Sequence, residues 1–231
     1  MPTPMVIDLS HWNTVKSFAD VKKAGIVGVI HKATESTGYA DDTYDSRMAS
    51  AQSAGLLWGA YHFLRPGNMK TQAQFFVDVA GDIDLYAADH EDPAVDLDDL
   101  KEFLVQVEAL TGVLPVIYSG HVLKEQLGSS ADPELEKYLL WLAQYSSTPS
   151  WPTAIWPSYW IWQYTDQGSI AGMSGAVDLN QYQGTAEELV ADWTGRAAPP
   201  PDMVVGEPPS VTISIETKGK VKVTVLTDEE A

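Results

Sequence analysis

Leu85-Tyr86-Ala87-Ala88-Asp89-His90-Glu91-Asp92-Pro93 is the stretch on which the fold turns. An apolar run closed by acids and an Asp-Pro stop reads as a short buried strand over residues 85–91. Side chains two apart on a strand share a face, so Asp89 and Glu91 emerge together at its C-terminal end. Setting two like charges side by side in a buried place is costly. A fold gains little from such a pair, whereas acid–base chemistry needs two carboxyls of different proton affinity.

Short apolar runs alternate with helix-like stretches on both sides of this strand. Upstream, residues 5–9, 27–32 and 56–63 read as strands. Residues 15–24, 41–54 and 71–80 read as helices, closed by Gly25, Gly55 and Gly81. Downstream, residues 97–110 have helical spacing and end near Gly112, residues 113–118 form a strand, and 121–127 a short helix. The pattern then changes. Residues 138–145, 159–164 and 176–179 read as strands with little helix between them, and 185–193 as a last helix. Five strand–helix units followed by three strands suggest an α/β fold, an irregular TIM-like (β/α)5(β)3 barrel over residues 1–195. A doubly wound open sheet also fits the periodicity, but no Gly-rich phosphate loop follows the first strand.

Composition shifts at Arg196. Ala197-Ala198-Pro199-Pro200-Pro201 and Pro208-Pro209 mark an extended linker over residues 196–210. Beyond it, Val211-Thr212-Ile213-Ser214-Ile215 and Val221-Lys222-Val223-Thr224-Val225 alternate apolar and polar around Thr217-Lys218-Gly219-Lys220. This is the pattern of a β-hairpin over residues 211–227. A lone hairpin is marginal, so its apolar face is expected to dock on the barrel or to join chains into a homo-oligomer by strand pairing.

The absence of cysteine excludes disulfides, thiolate zinc sites and a Cys nucleophile. A net charge of −18 across 231 residues repels nucleic acid and anionic membrane surfaces, so neither is an expected partner. No window approaches the about 18 uninterrupted apolar residues that a membrane span needs. Affinity for a sugar polymer would have to come from stacking and hydrogen bonds, and the eight Trp and ten Tyr residues suit that task, although most of them are expected in the core. Met1-Pro2-Thr3-Pro4 is uncharged and Met5-Val6-Ile7 is too short for the apolar core of a signal peptide, so synthesis in the cytoplasm without one is expected.

Functional groups of TIM-like barrels sit at the C-terminal ends of the strands. Asp8, Asp89, Glu91 and Asp178 all fall at such ends. One acid there is commonly a helix cap or turn former, but four on one rim form a constellation. Tyr61, Tyr118 and Trp141 are candidate sugar platforms or donors, with core packing the competing role for Trp141. Lys32 and Glu35 lie just past a strand end, either paired with each other or facing substrate. His62 faces away from Tyr61 and Phe63, and either lines the barrel mouth as a substrate contact or packs in the core. Alternation points His90 away from the acids, toward the helix layer.

These residues carry a resemblance. Asp8-Leu9-Ser10-His11-Trp12-Asn13, Lys32-Ala33-Thr34-Glu35, Gly59-Ala60-Tyr61-His62-Phe63 and Asp89-His90-Glu91 come first. Ile117-Tyr118-Ser119, Trp141-Leu142-Ala143-Gln144-Tyr145, Trp162-Gln163-Tyr164 and Val177-Asp178-Leu179-Asn180 follow. In that order they resemble the family 25 glycoside hydrolases, the N-acetylmuramidase lysozymes that many phage endolysins use. The likeness runs from Asp8 to about Trp193. It implies the same five-plus-three barrel, with Glu91 as the catalytic acid, Asp89 stabilising the reacting centre, and Asp8 and Asp178 lining the site. Gln163 is carried over as a substrate contact. The implied reaction is cleavage of the β-1,4 bond from N-acetylmuramic acid to N-acetylglucosamine in peptidoglycan, with no cofactor and no metal. His90 and Asn13 depart from the pattern, where an apolar residue and Gln are common.

The chemistry accommodates these roles. An ionised Asp89 beside a protonated Glu91 would raise the glutamate's pKa, and burial would add to it. Asp89 then either attacks the anomeric carbon or stabilises an oxazolinium ion formed by the substrate's own acetamido group, the second being preferred. A retaining pair stands roughly 5–5.5 Å apart and an inverting pair 6.5–9.5 Å. Three other readings compete. A metal-dependent hydrolase could draw on His11, His62 and His90 with Asp8, Asp89 and Glu91, although no compact ligand spacing is present. A non-catalytic wall-binding or virion structural module would leave the acids idle. An amidase or peptidase acting on the same polymer would release amines rather than reducing ends.

Overall fold

The computed structural model describes residues 5–196. The linker and hairpin expectations at 197–227 lie outside the described residues. Arg196, expected to open the linker, instead belongs to the barrel. Its guanidinium donates to the carbonyls of Leu114 and Pro115, and its own carbonyl accepts from Leu114 N.

Strand β1 (Val6–Leu9) is followed by the short β2 (Thr14–Val15) and helix α1 (Phe18–Lys23). Next come β3 (Gly28–Glu35), the short β4 (Tyr39–Ala40) and α2 (Tyr44–Ser53). Then β5 (Leu57–Phe63) leads to α3 (Met69–Ala80), β6 (Tyr86–Asp89) to α4 (Leu97–Thr111), and β7 (Val116–Ser119) to α5 (His121–Leu127). The chain continues through β8 (Leu139–Ala143), β9 (Ile161–Gly168), the short β10 (Met173–Ser174), β11 (Val177–Tyr182) and α6 (Ala186–Thr194).

Strands β1, β3, β5, β6, β7, β8, β9 and β11 close into a barrel. Neighbours are parallel from β1 through β3 to β9, while β11 runs antiparallel to both β9 and β1. This is the five-plus-three arrangement read from the sequence. The one antiparallel strand explains the change of pattern after α5: a strand returning antiparallel needs no crossover helix. β9 outruns its expected end at residue 164, because irregular register against β11 carries the pairing on to Gly168. The helix expected at 15–24 starts late, since Val15 pairs with Met173 and Ser17 caps the helix at Asp20 N.

Inward and outward side chains alternate along the strands, except where register slips occur in β3 at Lys32–Thr34 and in β11 around Leu179. The outward set packs under the helices around Ile7, Val29, Phe76 and Phe103. The inward set forms a separate cluster around Val6, Ile30, Leu85, Val116, Trp141 and Ile161. Helix α6 plugs the lower end. Its Trp193 is fully buried and sits where Gly28 and Gly59 leave room: a Cβ on Gly28 would lie 2.8 Å from the indole. A capping box between Thr185 and Glu188 fixes the helix start. Filling the lower end leaves only the upper rim, where the C-terminal strand ends meet, free for a cavity.

Candidate active site

At that rim lies a cavity of about 210 Å³ lined by Asp8, Tyr61, Asp89, Glu91, Tyr118, Trp141, Tyr145, Gln163 and Asp178. All four acids singled out in the sequence meet here. So do Tyr61, Tyr118, Trp141 and Gln163. Each arrives by inward parity: Asp8 opposes Asp178 across the β1–β11 pair, and Asp89 opposes Tyr118 across β6–β7.

Asp8 is the most heavily supported. Its carboxylate accepts from Gln163 Nε2 at 3.0 and 3.1 Å and from Asn180 Nδ2 at 2.8 Å. Gln163 Oε1 in turn accepts from the hydroxyls of Tyr118 (2.9 Å) and Tyr145 (3.0 Å). Asn180 Oδ1 accepts from Trp141 Nε1 at 2.6 Å. Two amides thus have every polar end occupied, which locks their orientation and that of Asp8. Trp141 packs edge-on against Tyr118 at 4.4 Å and is nearly fully buried, so it serves as cavity floor.

The acids form two hydrogen-bonded pairs, Asp89 with Glu91 and Asp8 with Asp178. Burial, and then the charge of Glu91, push Asp89 well above the usual carboxylate range, while Lys32 pulls it back. Burial also raises Glu91, against the lowering effect of the Asp89 hydrogen bond and of His121. Burial raises Asp8, opposed by its bonds to Asn180, Gln163 and Asp178. Burial and the neighbouring Asp8 push Asp178 up to about 8. All four carboxyls are thus shifted toward their protonated forms, and the members of each pair titrate together. The sequence reading put the proton on Glu91 and the charge on Asp89. Both members of that pair are raised, Asp89 in a buried position and Glu91 past the end of β6, open to solvent at the mouth. One Asp89 oxygen, Oδ1, is buried with no hydrogen-bond partner in the protein.

Two expected contacts fall elsewhere. His62 is a correction. It lies under the helices, between Thr34 Oγ1 (2.7 Å) and Gln72 Oε1 (3.0 Å), stacked on Phe103 at 5.0 Å. Its neighbours Tyr61 and Phe63 take the inward parity, so His62 cannot reach the mouth. Lys32 stands beside the cavity rather than in its wall and bonds Glu35 at 2.5 Å. Its charge still reaches Asp89. His90 faces the helix layer, with Nε2 on Val95 O at 2.9 Å. With His62 and His90 both turned outward, the six groups of the metal reading do not converge. Among the described residues no cluster of three His, Cys, Asp or Glu side chains is arranged to hold a metal ion.

The sequence reading missed Tyr145 and His121 as parts of the site. Tyr145 belongs to both this cavity and an adjoining one of about 180 Å³ shared with Glu91, His121 and Gln144. The only signal was position, since each follows a strand end by one or two residues.

Residues 7–173 match the family described as Glycosyl hydrolases family 25. The chain belongs to that family. It is a glycosidase. It is 30% identical over 208 residues to Lysozyme M1 of Streptomyces globisporus, covering 80% of this chain and 69% of that protein. It is 26% identical to an N,O-diacetylmuramidase of Chalaropsis sp over 198 residues, 74% of this chain and 94% of that one. The structure of a bacterial lysozyme from Streptomyces coelicolor superposes with a TM-score of 0.73 at 29% identity, covering 82% of this chain and 96% of that chain. No helix among the described residues is long and apolar enough to cross a membrane.

Proposed function

We propose that this glycosidase is a muramidase that cleaves peptidoglycan at the β-1,4 bond from N-acetylmuramic acid to N-acetylglucosamine, with Glu91 as general acid and Asp89 stabilising the reacting centre. The observation that carries the reading is the hydrogen-bonded Asp89–Glu91 pair, one member buried and one at the cavity mouth, each with its pKa raised. Such a pair favours keeping a proton where a glycosidic oxygen can reach it.

The geometry favours assistance by the substrate over a nucleophilic Asp89. Asp89 and Glu91 stand two residues apart at one strand end and interact directly, and the expected sugar carries an acetamido oxygen of its own that can act as nucleophile. In this reading the substrate's acetamido N–H donates to the carboxylate of Asp89, which lines the cavity. That bond favours ionised Asp89 and so moves the shared proton to Glu91, next to the leaving oxygen. The acetamide oxygen then attacks the anomeric carbon as the C–O bond breaks and Glu91 protonates the leaving sugar. The negative charge of Asp89 offsets the positive oxazolinium ion, and water, deprotonated by Glu91, opens the ring. Asp8, fixed by two amides, and Asp178 hold the sugar on the opposite wall.

The test is release of reducing ends from purified peptidoglycan by the wild type beside Glu91→Gln. The wild type is expected to generate reducing ends and no new amines, and the variant to bind glycan without cutting it. Equal activity in both would remove Glu91 from the mechanism, and amine release would point to an amidase. Within this reading we place the enzyme's use with phage lysins. Expression inside a host together with a membrane pore should then lyse it, and expression alone should not.

A further inference from the structure

The most exposed large apolar side chain among the described residues is Trp12, 85% accessible, on the loop between β1 and β2. A single exposed aromatic means little by itself. This one is held in place by an unusual amount of structure. Arg47 of α2 donates Nη1 to Ser10 O and Nη2 to Asn13 O, both at 2.7 Å, clamping the loop on either side of the indole. Asn13 Oδ1 accepts from Ser10 N at 2.8 Å. Asp41, its side chain fully buried, accepts from His11 N at 2.8 Å and from His11 Nδ1 at 3.0 Å. Asp41 is itself fixed by the amide and hydroxyl of Thr43. The His11 ring lies 4.5 Å from the indole, and the Tyr39 hydroxyl is 2.8 Å from His11 Nδ1. Tyr39 is itself 39% exposed.

A loop free to relax would fold its indole onto the protein. This loop is pinned so that it cannot. The cost of keeping an apolar ring in water, and of burying Asp41 to do so, calls for an occupant. Trp12 lies four residues beyond Asp8, which caps their Cα separation at about 14 Å. A short oligosaccharide anchored at the acids spans that distance. A pyranose ring offers one C–H face for stacking and hydroxyls at its edge for Tyr39, the amphipathic match that exposed aromatics provide.

We propose that Trp12, backed by His11 and flanked by Tyr39, is a stacking platform for a sugar ring of the glycan strand that lies outside the acid cavity. The proposal rests on the glycan-cleaving reading above. It makes Arg47 and Asp41 positioning residues, which act only by holding the loop.

Two measurements test it, both on the full chain. In the Glu91→Gln background, binding of peptide-free glycan strands is titrated with Trp12 intact or replaced by Ala or Phe, following the fluorotryptophan resonance that vanishes in Trp12→Phe. The expected result is a shift of that resonance, binding weakened roughly three- to tenfold by Trp12→Ala, and a smaller loss for Trp12→Phe. In the active enzyme, Trp12→Ala should raise KM to the same extent and leave kcat unchanged. Trp12 is exposed, so the variant's fold is not at risk. Unchanged affinity and KM in Trp12→Ala would overturn the platform. So would a fall in sedimentation mass without loss of glycan binding, which would assign the face to a second copy of the chain. If the wild type releases no reducing ends, the glycan-cleaving reading fails, while the binding titration still decides the platform independently.

Discussion

Asp178→Asn should make this protein more stable, and by an amount that depends on pH. Burial and the neighbouring Asp8 raise Asp178 from 3.8 to about 8 in the folded chain. Between those pH values the native state binds a proton that the unfolded state has released, so stability falls as pH rises from about 4 to about 8. The full displacement sets a ceiling of roughly 6 kcal/mol. Asp178 is partly exposed and shares its proton with Asp8, so screening and the remaining carboxylate reduce the recoverable part to about 2 kcal/mol. Asparagine keeps a donor toward Asp8 and has no charge to bury. Thermal melts of wild type and variant at pH 4, 6 and 8 should coincide at the acid end and separate steadily above it. At pH 8 the variant should melt about 4–8 °C higher. Equal stabilities at pH 8, or a gap that does not change with pH, would refute the claim that this acid is held at its own expense for function.

On the acid side the histidines set the slope. Burial lowers His31 and His62 to about 4, so the stability they contribute is complete above about pH 6.5 and is lost as pH falls toward 4. His62→Asn should be less stable at pH 7 yet lose less between pH 7 and pH 4.5, as denaturant melts would show. At the lower end of the barrel, Trp193→Ala should cost about 3–5 kcal/mol and Gly28→Ala about 1–3 kcal/mol. The double variant should cost less than the sum, since the clash at 2.8 Å needs both partners. Gln163→Leu frees the hydroxyls of Tyr118 and Tyr145 and strips two bonds from Asp8, so kcat should fall by up to a hundredfold with KM little changed. Lys32→Gln removes the cation that pulls Asp89 down, so the acid limb of the pH–kcat profile should move to higher pH.

The sequence was most informative where a period existed. Parity along residues 85–91 placed Asp89 inward and His90 outward, and the five-plus-three count survived although Val15 and the residues near 164 left their expected elements. His62 shows the same rule ignored. Tyr61 faces the cavity, so its neighbour had to face the helices, and Phe103 and Gln72 were waiting there. Loops carry no period, which is why Trp12 and Tyr145 were not recognisable, and His121, the first residue of α5, lies outside the periodic part of any strand. Their roles depend on where a loop is tied, and the ties come from residues far along the chain, such as Arg47 and Asp41 for Trp12. The difference in depth between Asp89 and Glu91 was unreadable for another reason. Spacing fixes which face two side chains share but not how deeply each is buried.

Four carboxyls share a cavity with no cation in its wall. Lys32, on the inward parity of β3 opposite Tyr61, is bonded to Glu35 and acts on Asp89 from the side. Arg65, which also pairs with Glu35, ties that glutamate to Asp92 rather than to the acids. Under the proposed mechanism, a substrate donor to Asp89 would favour its charged form and leave the proton with Glu91. The order of burial, deep Asp89 and open Glu91, would set the direction of that transfer: toward the mouth, where a leaving sugar would be. The asymmetry follows from one structural fact, that β6 ends at Asp89 and lets Glu91 step out of the ladder.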